Sequence, residues 1–347
     1  MISTLKNLFV VAPLGRRGVS DAAPVQRYVS VRTGPDNERP GIPSDYIDTT
    51  YCGHVLGVQS ATDCELNMVE KGVLRELDRL LTSARALSVL VPALPAAVSR
   101  LLGSLRKGDA SVTQLLAELG RDPVLARAVV GLSNSPRYRA GTQTAGLQDA
   151  VFGLGPVGIR QLAVAAAVRP LIDIDAGYFT RLSGTTLWEH AEKSAFACDY
   201  LASKTACDRL DAYLAAVVQN IGFALVLRTL DRKFNGDHVP RSAMFRERTV
   251  SQSRKLSVAV ARQWALPDAV VRALEAQIDA VGRVGHDDLA SILYVGDKLA
   301  KMHILAGVGR FGGRVDHVID TSFGRLSDYC GSCYARLSAR TRSTASG

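Results

Sequence analysis

Aromatic residues are scarce, making up 6% of the 347 residues with only two tryptophans, while hydrophobic residues reach 47%. An apolar content carried by Ala, Leu and Val argues for packed helices and against a sheet sandwich. No sustained alternation of apolar and polar residues marks a strand. The chain has no P-loop, no Gly-x-Gly-x-x-Gly at a strand–helix junction and no nucleophile elbow. Its six cysteines, at 52, 64, 198, 207, 330 and 333, follow no spacing that suggests a disulfide framework. No secretory signal is apparent. The apolar run within Met1–Val11 is too short to span a bilayer, and its arginines follow rather than precede it. The expectation is a cytoplasmic protein with no membrane span.

The length allows two domains or one large one. The net charge of +9 is concentrated: Arg228 to Arg262 carries nine basic and three acidic residues. Such a stretch can engage phosphates of a nucleotide or nucleic acid, or simply be a solvated helix face in a basic protein. Neither zinc-finger spacing nor a recognised nucleic-acid signature accompanies it, and the solvated face is the preferred reading.

Residues 1–62, rich in Gly, Pro, Ser, Thr and Arg over much of their length, read as a mostly disordered arm. From Asp63 the pattern changes. Leu66, Val69, Val73, Leu77, Leu80 and Leu81 recur at helical spacing and predict a leading helix over 63–86. Helix punctuation then becomes dense. Ser111–Gln114 is a capping-box pattern, and Asp122-Pro123 sets a capping carboxylate before a proline at the first helical position. Gly155-Pro156 opens a helix running to Arg169. Thr186-Leu-Trp-Glu189 is another capping box, predicting a helix to Ala202, and 208–230 reads as one long apolar helix. Further helices are predicted over 242–264, 267–281 and 287–306. The tail 307–347, rich in Gly, Arg and Ser, is expected to be irregular, with Cys330 and Cys333 as tail thiols rather than a redox or zinc pair.

Inside the long apolar helix stand two adjacent amides, Leu214-Ala-Ala-Val-Val-Gln219-Asn220-Ile221-Gly222. The segment resembles the centre of HD-superfamily metal phosphohydrolases, with Gln-Asn where that superfamily has His-Asp. Arg121-Asp-Pro through Asn134-Ser135-Pro-Arg-Tyr138, then Leu147–Leu162 with its Leu-Gly turn and Arg160, resemble the HDOD domain, a bacterial signalling module related to those hydrolases. Pro92-Ala-Leu-Pro95, Leu187-Trp188-Glu-His190 and Trp264-Ala-Leu266-Pro267 continue the resemblance over roughly residues 90–305. Many weak motifs in the right order are mutually supporting.

The resemblance implies an all-α fold of two packed helical subdomains, a bundle over 90–170 and a degenerate HD-like bundle over 185–305. His190 matches the superfamily's first metal-binding His and Asp297 its distal Asp. Gln219 and Asn220 replace the central pair, and Gln277 stands where many relatives carry paired histidines. Amide groups add N–H donors and no anionic charge, so no metal, cofactor or catalytic residue is assigned.

What the resemblance implies is a non-catalytic regulatory or scaffolding module binding signalling proteins, in cyclic-dinucleotide, motility or stress pathways. A residual metal-dependent phosphohydrolase and phosphate or nucleic-acid binding through 228–262 are the alternatives. The candidate interaction surface comprises Asn134, Arg137, Tyr138 and Arg139 in one loop, with Arg246, Arg248 and Arg254 in the basic stretch. Asn134 reads first as a helix end shaping its loop. For Gln219 and Asn220, amides satisfied inside the core are preferred to a ligand-binding floor.

Overall fold

The computed structural model describes residues 44–345 except 59–60, 106–111, 136–137, 139–143, 173–176, 235, 237–238, 279–287, 312–314, 316–318 and 320–322. The regular structure of the described residues is helical, with one isolated bridge, Thr62 to Ser242, and no strand. The helices are α1 (Ser44–Val55), α2 (Met68–Thr82), α3 (Ala84–Leu90), α4 (Ala96–Leu105), α5 (Val112–Gly120), α6 (Pro123–Ser133), α7 (Leu147–Ile172), α8 (Tyr178–Ala202), α9 (Arg209–Val218), α10 (Ile221–Lys233), α11 (Ala243–Gln263), α12 (Asp268–Ala276) and α13 (Leu289–Gly307). A last helix, α14, spans Ser327–Ala345.

Helices α4–α7 pack on one another, as do α8–α13, in which α8 lies between α9 and α13 while α10 crosses α11. The second group is tied by specific bonds to the first and to α3 and the connector that follows it. Arg228 donates to the carbonyls of Leu90 and Leu171, Trp264 Nε1 donates to Pro92 O, and the hydroxyls of Tyr138 and Tyr213 meet at 2.8 Å. The leading helix is shorter than the expected 63–86, running from Met68 to Thr82 and ending at Ser83, which caps α3. Its stripe is buried as the spacing predicts, at Val69, Val73, Leu77 and Leu80. Its capping box, Asn67 with Glu70, also reaches outward, because Glu70 Oε1 accepts the Ser242 N–H that opens α11.

Four further expectations need correction. The arm is not featureless to residue 62. Residues 44–55 form α1, which buries Ile47, Tyr51, Cys52 and Val55 against α8, α11 and α13; residues 1–43 lie outside the described residues. The helix expected from Thr186 begins at Tyr178 instead. Its free N–H groups at Phe179 and Thr180 are taken by the Asp231 carboxylate of α10, at 2.6 and 3.1 Å, so a distant residue caps what the local pattern could not. Asp231→Ala is expected to cost about 1–2 kcal/mol in denaturant unfolding, the value of a lost N-terminal cap.

The third correction concerns the long apolar helix, which breaks at the amide pair. Ser257 Oγ donates to Gln219 O (2.7 Å) and accepts from Gly222 N (3.0 Å), inserting into the helical ladder between α9 and α10. By length and hydropathy, 147–172 and 209–233 are each apolar enough to cross a membrane. The second is almost wholly buried inside the bundle and is a core element, whereas the first is broken at Gly155, at φ 69°, and only partly buried. Lastly, the tail is not irregular throughout: 327–345 form a helix whose Cys330, Cys333 and Leu337 are buried at helical spacing. Burial pushes both thiols up, Cys330 to about 12 and Cys333 further in the same direction, which suits packing rather than nucleophilic use.

Candidate functional site

Seven helices, α1 and α8 to α13, converge on the position expected from the resemblance. Helix α8 supplies His190, the α9–α10 junction supplies Gln219 and Asn220, and α12 ends at Gln277. Helix α13 brings Asp297, while α11 contributes Ser253, Arg254 and Ser257. Together with α1 residues Asp48 and Tyr51 and with Lys301, they line a cavity of about 50 Å³. His190, Asn220, Gln277 and Asp297 are buried and Gln219 is half-buried, so the five degenerate positions do come together.

Their bonds turn inward. His190 Nδ1 lies 2.6 Å from Asn220 Oδ1, and Asn220 Nδ2 donates to Ala216 O, which fixes which way the amide faces. His190 Nε2 lies 3.1 Å from Asp297 Oδ1. Gln219 Nε2 donates to Ser194 Oγ at 2.7 Å, and Gln277 Nε2 donates to the carbonyls of Ala273 and Ala290. Each amide side chain thus has a partner within the fold, as buried polar groups require.

The charges are the larger surprise. Lys301 Nζ sits 2.6 Å from Asp297 Oδ2 and 2.8 Å from Asp48 Oδ1, bridging two buried carboxylates. Asp48 Oδ2 also takes Lys298 Nζ and an Arg254 nitrogen. Burial would push the Asp48 carboxyl up, but Lys301, Lys298 and Arg254 outweigh it and hold the group well below the usual carboxylate range. Asp297 is likewise raised by burial and lowered further by Lys301 and His190, with the same net direction. Lys298, almost wholly buried, has its ammonium pushed down by desolvation despite Asp48. Lys301 keeps a raised value because Asp297 and Asp48 together overcome burial.

A divalent metal of the kind HD hydrolases hold needs about three lone-pair ligands and compensating negative charge. Here the central pair is amide, Asp297 already carries an ammonium, and two further cations stand beside it. No group of three His, Cys, Asp or Glu suited to a metal occurs among the described residues. The donor set does not fit the ion.

Of the second set of candidates, the described residues are mostly taken up in internal contacts. Asn134 exchanges bonds with Thr144, donating to its carbonyl at 2.8 Å and accepting its N–H at 2.7 Å, so it closes the following loop. Tyr138 is half-buried on Tyr213, and Arg137 and Arg139 lie outside the described residues. Arg246 is buried, with a guanidinium nitrogen directed at Val58 O, and Arg254 is spent on Asp48; Arg248 alone of the three is exposed. The basic stretch is therefore partly internal structure. Asp48, Tyr51, Lys298, Lys301 and Ser257 are the site residues that sequence reasoning missed. Asp297 and Lys301 stand four apart on one helix, a spacing that pairs opposite charges and was readable.

The profile of the HDOD domain matches residues 91–280, more than half of the chain, and the chain belongs to that family. Its fold is similar to an HDOD domain protein with unknown function from Geobacter sulfurreducens, at 21% identity and TM-score 0.53 over 76% of this chain and 89% of that one. It is also similar to a candidate signal transduction protein from Marinobacter aquaeolei VT8, at 20% identity and TM-score 0.56, covering 80% and 65%. A candidate metal-dependent phosphohydrolase from Shewanella amazonensis SB2B shares 17% identity, with TM-score 0.52 over 77% and 100%. At these identities the likeness concerns the fold. Comparison with curated proteins finds no match.

Proposed function

We propose that this HDOD protein is a non-catalytic module of bacterial signal transduction that works in the cytoplasm by recognising protein partners, in a pathway such as cyclic-dinucleotide, motility or stress control. The observation carrying this reading is Lys301, whose ammonium bridges Asp297 and Asp48 beside amides at the two central ligand positions. A fixed side-chain cation supplies positive charge to the carboxylates but offers no open coordination position and no activated water. The frame of a hydrolase is kept and its donor set is altered, which leaves surfaces rather than a reaction centre to do the work. Family membership and the signal-transduction naming of one fold relative support the same direction by analogy.

The test is metal analysis of full-length protein produced with added manganese and iron, alongside phosphodiesterase assays. The expected result is metal far below one equivalent and no turnover. Stoichiometric metal, lost together with activity in His190→Ala, would overturn the reading in favour of a residual phosphohydrolase.

A further inference from the structure

Lys298, Lys301 and Arg254 come from two helices, α13 and α11, and converge on a single carboxylate delivered by a third, α1. That carboxylate is not among the positions His190, Gln219, Asn220 and Asp297 that carry the resemblance. It lies on a 12-residue helix well ahead of the stretch matched by the family profile, residues 91–280. Three cations facing one imported acid describe an anion site already filled from within the chain.

Space and unused donors adjoin it. The cavity of about 50 Å³ is bordered by Asp48, Tyr51, Arg254 and Lys301. A volume of roughly 10–15 Å³ on this measure holds one water, so the space suits one group of three or four oxygens and not a whole nucleotide. The Tyr51 hydroxyl is buried and has no hydrogen-bond partner among the described residues. An unpaired buried hydroxyl is costly, which makes α1 a less than perfectly satisfied occupant.

We propose that Lys298, Lys301 and Arg254 form an oxyanion site for a phosphate-bearing small molecule, with Asp48 as its resident competitor, so that ligand binding lifts α1 from the bundle. The proposal rests on the reading of the centre as non-hydrolytic and adds its regulation. A phosphate carries up to twice the charge of a carboxylate and more acceptor oxygens, so it can satisfy the same three cations. What opposes it is the apolar seat of α1, where Ile47, Tyr51, Cys52 and Val55 are buried. Binding and undocking are then one equilibrium, and the affinity seen in the intact chain is reduced by the small fraction in which α1 is released.

Inorganic phosphate is the probe, titrated against full-length protein at ionic strength matched with chloride so that screening is constant. Calorimetry should show Asp48→Asn binding phosphate roughly tenfold or more tightly than wild type, because the competitor's charge is gone. Adding Arg254→Gln to that variant should remove the gain. In wild type, amide hydrogen exchange across residues 44–55 should quicken with phosphate and not with chloride, while α9 and α10 stay protected. The exchange arm stands even where Asp48→Asn does not fold. Unchanged exchange in α1 sinks the proposal, as does equal affinity in wild type and Asp48→Asn, or binding indifferent to Arg254→Gln. Metal found in the same wild-type sample would instead count against the non-catalytic reading, so the two failures are separable.

Discussion

Lys301→Met should lower the unfolding free energy by roughly 3 kcal/mol at neutral pH, the lower end of the 3–5 kcal/mol expected when one partner of a buried ion pair is removed. The lower end applies because Asp48 keeps Lys298 and Arg254, while Asp297 keeps His190 and the charge of Lys298. Methionine preserves most of the volume, so the loss reports charge and not a cavity. The pH dependence separates the two. In wild type the Asp48 and Asp297 carboxyls lie below their unfolded values, so their stabilisation is complete above about pH 4 and is lost as pH falls toward the folded values. Without Lys301 those folded values rise, and less of this stabilisation remains to be lost in acid. The gap between variant and wild type should therefore be widest near pH 7 and close as pH drops below about 4. Urea unfolding at pH 7 and pH 3 measures it. A gap that stays constant would mean that Lys301 acts through packing alone.

Gly222→Ala should be at least as damaging, by about 3 kcal/mol or more, or should prevent folding. A Cβ at this position would fall 1.8 Å from the carbonyl oxygen of Ser253 and 2.7 Å from Ser257 Oγ. The first is backbone, so only movement of α11 away from α10 could relieve the contact. That movement would also break the Ser257 bonds that join the two half-helices. The control is Gly72→Ala in α2, where a Cβ meets nothing within 4 Å. It should stabilise by about 0.5–1 kcal/mol, since alanine loses less conformational freedom in a helix interior. Comparable melting temperatures for the two variants would show that α10 and α11 do not cross as closely as described.

Both predictions concern residues in or beside motifs that were visible early, yet their reasons were not. The Ile221-Gly222 step was legible as a landmark of the HD frame. That its glycine admits the backbone of another helix became clear only when α11 was in place. The amides at 219 and 220 border the cavity and have partners inside the fold, Ser194, His190 and Ala216, which depend on which helices meet. The two terminal regions show a different limit. Ile47, Tyr51, Val55 and, a turn apart, Cys52 and Leu56 recur at helical spacing, as do Leu326, Cys330, Cys333 and Leu337. Both stripes were readable, but each lay in a region whose overall composition, rich in Gly, Ser and Arg, outweighed a short periodic signal.

The sequence by itself determined the helical class, the order of most helices and the family resemblance, because periodicity, caps and prolines act over a few neighbouring residues. It also placed Gln219 and Asn220 where the resemblance implies a His-Asp pair. Only the tertiary structure decided that Asp48, 249 positions before Asp297 in the numbering, shares Lys301 with it. A buried charge needs a partner, but desolvation sets no preference for where along the chain that partner must come from.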